Sequence, residues 1–136
     1  MTSEDEIITA VRAHFPAVQA IYLYGSFGAP NARPDSDIDI GLLFSHEEAK
    51  AAGGLAMHPL RLDLEDALQR EIDLVNLRMA DTVLCKEVVA NERRIYCADE
   101  NAAEAFEMYT LSLYQKLNEE RADIVADFPN WGDTNA

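Results

Sequence analysis

Positive charge is scarce in this chain: 11 Lys and Arg stand against 25 Asp and Glu, for a net charge of −14. Such a surface repels phosphate backbones, which argues against general nucleic-acid binding and in favour of a basic partner or a bound cation. Cysteine is almost absent. Cys85 and Cys97 have no C-x-x-C spacing and no second pair, which leaves no cysteine zinc site. Cys85, inside "TVLCKEVV", reads as a small core residue. His14, His46 and His58 form no cluster and read as surface or helix-end residues. No apolar run reaches membrane-spanning length. The opening "MTSEDEIITA" is acidic, unlike a secretory leader, so the expected compartment is the cytoplasm. Internal repeats and low-complexity linkers are missing too. What remains is 136 residues with 49% hydrophobic content, enough for one domain around one core.

The elements alternate. Ser3 and Glu6 have capping-box spacing ahead of "IITAVRAHF", which predicts a helix over about residues 4–14. "AIYLY" (20–24) reads as a strand ended by Gly25-Ser26. "FGAPNARPDS" reads as a helical turn and loop, and "DIDIGLLF" as a second strand. "HEEAKAAGG" is polar and small with a Gly-Gly break. "HPLRLDLEDALQRE" places Leu60, Leu64, Ala67 and Leu68 on one helical face. "IDLVNL" (72–77) is a third strand, Asp81 caps a helix through "TVLCKEVVANE", and "RRIYC" adds a short fourth strand. Asp99 then caps a long helix over about 100–126. This order predicts an α+β (α/β) fold, a small mixed sheet flanked by helices. The expected units are residues 1–98 as the core domain, 99–126 as the C-terminal helix and 127–136 as a flexible tail.

Two strand positions are chemically odd. Asp37 and Asp39 interrupt an apolar strand, although aspartate is depleted in strands. Residues i and i+2 share a face, so the two carboxylates project together, their Cα atoms about 6–7 Å apart, while Ile38 and Ile40 turn to the core. Like charges this close need compensation, and hard oxygen ligands suit Mg²⁺. Asp73 interrupts "EIDLVNL" in the same way. If its strand neighbours the second one, three carboxylates share a face and can hold two metal ions for nucleotidyl displacement. Gly25 lets backbone N–H groups approach a phosphate closely, and Ser26 opens a helical turn with a hydroxyl and a positive end. Singly these features are a turn, a solvated strand end and an edge charge. Together they are specific.

Gly25, Ser26, Asp37 and Asp39 match the pattern G-S-x10-D-x-D, with Asp73 as the later carboxylate. In this the chain resembles the nucleotidyltransferase superfamily related to DNA polymerase β. Its size, "IDLVNLRMADTVLCKEVV" and "AFEMYTLSLYQKLNEERADIV" resemble the minimal nucleotidyltransferase (MNT) antitoxins of the MntA type, which accompany HEPN-domain proteins. The resemblance spans about residues 5–125. It implies an enzyme that transfers AMP from ATP to a tyrosine of a HEPN ribonuclease toxin. Asp37, Asp39 and Asp73 would bind Mg²⁺, with Asp73 also helping to deprotonate the tyrosine. Ser26 and the Gly25 backbone would hold the ATP phosphates. The acidic charge suits a basic partner.

Relatives often continue as G-S-x-x-R-G, whereas this chain has Ala29 and Pro30 there. Arg33 either replaces the missing cation at the nucleotide or is an exposed loop arginine, and Arg78 has the same two readings. The departure at Pro30 favours a second hypothesis, an antitoxin that acts by binding alone. A third, a small-molecule nucleotidyltransferase, lacks the additional acceptor domain. In the last helix, Phe106, Tyr109, Leu113 and Leu117 form one apolar stripe, with Met108, Leu111 and Tyr114 off it. A helix apolar on two sides is expected to pack on the sheet with one face and on a partner with the other.

Overall fold

The computed structural model describes residues 2–25 and 37–127, with side chains to residue 121. Helix α1 (Ser3–His14) starts one residue earlier than the spacing of Ser3 and Glu6 predicts. Its capping box is Thr2 with Asp5, each side chain meeting the other's backbone N–H at 3.1 and 3.3 Å. Strand β1 (Ala20–Tyr24) and strand β2 (Ile38–Leu43) follow. Asp37 lies immediately before β2 instead of inside it. Helix α2 (His46–Ala51) is capped by the Ser45 hydroxyl, and a 3-10 turn (Gly54–Met57) leads into α3 (His58–Leu68). Strand β3 (Ile72–Asn76) and a 3-10 turn (Leu77–Met79) precede α4 (Thr82–Ala90), whose N-cap is Asp81 as expected. Strand β4 (Arg94–Cys97) and the long α5 (Glu100–Asp127) complete the described chain, with Asp99 accepting from the Ala102 N–H at 3.0 Å.

The four strands form one mixed sheet in the order β3-β2-β1-β4. β1 pairs antiparallel with β2 and with β4, and β2 pairs parallel with β3. The parallel pair needs a crossover, supplied by α2 and α3. Every residue of β1 is buried, as a central strand covered on both faces requires. On one face Ile21, Leu23, Ile38, Ile40, Leu42 and Phe44 pack with Ile7 and Val11 of α1 and Leu60 and Leu64 of α3. On the other, Ala20, Tyr22, Tyr24 and Leu43 pack with Cys85 and Val88 of α4 and Ala103 and Phe106 of α5. Gly41 belongs to this second face, where a Cβ would press on the Leu77 side chain.

The face that α5 buries follows the expected stripe except at Tyr109: Phe106 is buried, and Leu113 and Leu117 are half-buried. Ala103, Phe106 and Thr110 face inward, whereas Tyr109 is 65% exposed. Ala103 and Phe106 of this helix join the core that β1 shares with α4. A polar lock holds it there: the Tyr22 hydroxyl donates to Glu107 at 2.7 Å, and Arg94 donates to Glu107 at 2.8 Å and to Glu100 at 2.9 Å. No helix among the described residues is long and apolar enough to cross a membrane.

Candidate active site

The register of the sheet brings the aspartates together. Asp39 lies opposite Tyr24 on one side and beside Asp73 on the other. Directly paired residues share a face, and neighbouring strands are about 4.8 Å apart. Asp39 is therefore flanked by the Tyr24 ring and the Asp73 carboxylate, with Asp37 two residues back along the chain. The neighbouring isoleucines point through the sheet and are sealed in the opposite core: Ile38 and Ile40 are 1% and 0% exposed. Thus one short segment anchors a core and presents acids to the other face.

The electrostatics match this placement. Burial, then Asp73, Asp37 and Glu87, hold the Asp39 carboxyl above the usual carboxylate range. Burial, then Asp73, Asp39 and Glu87, push the Tyr24 phenol up as well. The ion pairs His14–Asp63, Arg94–Glu100 and Arg94–Glu107 involve none of these aspartates. Among the described residues no three His, Cys, Asp or Glu side chains already close on one point as a metal cage. The donor chemistry nevertheless fits a hard divalent cation: carboxylate oxygens only, crowded by like charge, with one member partly desolvated.

Gly25 ends β1 with φ at +75°, where an L side chain is strained. A Cβ there would also overlap the Asp39 Oδ2 atom. The chain thus turns against the carboxylate at the one residue type that permits it. Ser26 and Arg33 fall outside the described residues, as do Ala29 and Pro30. Arg78 is not an exposed loop arginine: it is half-buried and held by two hydrogen bonds. Its Nε donates to the Phe44 carbonyl and its NH2 to Gln19 Oε1 at 3.0 Å. That is the opposite end of β3 from Asp73.

Sequence reasoning missed two residues. Tyr24 was legible, since it shares a face with Tyr22 and immediately precedes Gly25. Glu87 was not, because only the docking of α4 brings it within electrostatic reach of Asp39 and Tyr24.

Residues 6–101 match the model of the family described as Polymerase beta, Nucleotidyltransferase. The chain belongs to this nucleotidyltransferase family. The protein adenylyltransferase MntA of Shewanella oneidensis is 37% identical to it over 125 residues, covering 92% of this chain and 86% of that one. A toxin–antitoxin crystal structure with AMP-PNP superposes with a TM-score of 0.77 at 35% identity, covering 93% of this chain and 98% of that chain. A structure of tri-AMPylated Shewanella oneidensis HEPN toxin in complex with MNT antitoxin superposes with a TM-score of 0.72 at 35% identity, covering 92% and 94%.

Proposed function

We propose that this nucleotidyltransferase is a cytoplasmic antitoxin that silences a HEPN-domain ribonuclease toxin by Mg²⁺-dependent transfer of AMP from ATP to a toxin tyrosine. The observation that carries the reading is the side-by-side placement of Asp39 and Asp73, with Asp37 adjacent, on a chain similar to a protein adenylyltransferase. In this reading Asp37, Asp39 and Asp73 hold one or two Mg²⁺ ions. When bound, the metal neutralises the triphosphate and makes the acceptor hydroxyl more acidic. The Gly25 backbone, the Ser26 hydroxyl and Arg33 hold the β- and γ-phosphates and keep the α-phosphorus facing the carboxylates. Asp73, exposed on β3, takes the proton of the acceptor tyrosine. The tyrosine oxygen then forms a bond to the α-phosphorus as the bond to the bridging oxygen breaks, and pyrophosphate leaves.

The test is intact mass of the HEPN partner after incubation with this chain, ATP and Mg²⁺. AMP-sized increments are expected with the wild type and none with D37N or D39N. Labelling that persists with both aspartates replaced would overturn the catalytic assignment. The substitution of Ala29-Pro30 for the Arg-Gly of relatives favours a second reading, neutralisation by binding alone. That reading predicts a silenced partner of unchanged mass.

A further inference from the structure

Helix α5 leaves one flank facing a groove of about 640 Å³ whose far wall is the end of α4. Val89 and Glu92 line the α4 side, and Glu104, Met108 and Leu111 line the α5 side. Met108 is 70% and Leu111 46% exposed, so the groove carries uncovered apolar surface. Its floor is electrically satisfied, because Glu107 there is paired with Arg94 and accepts from Tyr22. Glu92 and Glu104 are different: among the described residues neither is in an ion pair.

Glu92 sits where a glutamate is doubly unfavourable. Its φ is +55°, and it follows Asn91, the C-cap of α4. Glycine or asparagine takes that left-handed position at least cost. A negative charge there also opposes the negative end of the helix dipole. A residue that conflicts with both backbone and dipole points to a task for its side chain.

The groove's position suggests the task. Helix α4 contributes both to the groove and to the surroundings of the candidate active site. Glu87 of α4 acts electrostatically on Asp39 and Tyr24, and Val89, two residues on, lines the groove. Tyr22, which also lines the groove, stands two residues before Tyr24 on β1. A protein seated in the groove would lie beside the strand and the helix that border the carboxylates.

We infer that this groove seats the acceptor protein, which presents basic residues to Glu92 and Glu104 and an apolar patch to Met108 and Leu111. The inference rests on reading the chain as a protein adenylyltransferase. The net charge of −14 agrees with a basic partner. The test uses the full chain and its HEPN partner, with Kd measured at low and high salt alongside AMP transfer. E92G relieves the backbone and the helix end, so it melts no lower than wild type. Yet it binds the partner several-fold more weakly at low salt, and E92K roughly tenfold more weakly. M108S/L111S weakens binding at both salt concentrations. The KM for the partner rises with Kd while kcat holds. Wild-type affinity in E92G and E92K would overturn the inference, as would variants that change only self-association, which would assign the groove to a second copy. If the wild type binds its partner but transfers no AMP, the adenylyltransferase reading fails, and the Kd values still decide the groove.

Discussion

Replacing Asp39 with asparagine should make the metal-free protein more stable while removing its activity. Asp39 stands beside Asp73 in the parallel pair, and burial and the Asp73 charge raise its carboxyl pKa. A folded-state pKa above the unfolded one means that the folded protein holds the proton more tightly. Stability is therefore full at low pH and falls as pH rises through the folded-state titration of Asp39. At neutral pH the ionised side chain is a net cost. Two carboxylates about 5 Å apart repel by about 3 kcal/mol at an effective dielectric of 20 and by about 0.8 kcal/mol in water. Asp73 and Asp37 are exposed, so screening favours the lower end, about 1 kcal/mol. For a domain of 136 residues that is a rise in Tm of about 3 °C. The assay is thermal melting in EDTA and in Mg²⁺. D39N should melt higher than wild type in EDTA, and the gap should close as pH is lowered. Mg²⁺ should raise the Tm of the wild type and leave D39N nearly unmoved. A D39N protein that melts at or below the wild-type temperature in EDTA would refute the argument that these carboxylates repel one another.

Three further outcomes follow from the same contacts. G25A meets both a left-handed backbone and the Asp39 Oδ2 atom, so it should cost about 1–3 kcal/mol in urea unfolding and abolish transfer. R94A leaves Glu107 half-buried with only Tyr22 as donor. It should cost about 1–2 kcal/mol and speed hydrogen exchange in the first turns of α5 before other elements. F106A removes the ring that packs 6.2 Å from Tyr22 and should cost about 3–4 kcal/mol, read from the midpoint of urea denaturation.

Much of this molecule was legible before its coordinates. "AIYLY" is bounded by Gly25 and composed of strand formers, and β1 covers those same residues. The alternation in β2 puts Ile38 and Ile40 inside and Asp39 on the other face, while Asp37 lies just before the strand. Whether Asp73 would join them depended on strand adjacency, which no local pattern encodes. The parallel β2–β3 pairing supplies it. Helix α2 went unread because its six residues bury only Ala49 and owe their start to the Ser45 hydroxyl. The stripe expected on α5 erred at one position, Tyr109. Hydrophobicity favoured Tyr109, but the buried positions on either side of Phe106 are Ala103 and Thr110, which are smaller. Glu87 and Glu92 depend on where α4 ends and docks, and so they emerge only in three dimensions.

The most direct test of the account is the mass of the HEPN partner after incubation with this chain, ATP and Mg²⁺, compared with the same reaction carried out by a protein bearing both D37N and D39N. The account predicts AMP-sized increments on a tyrosine of the partner in the first case and an unchanged mass in the second. A partner that is silenced without gaining mass, or that gains it equally from the doubly substituted protein, would contradict it.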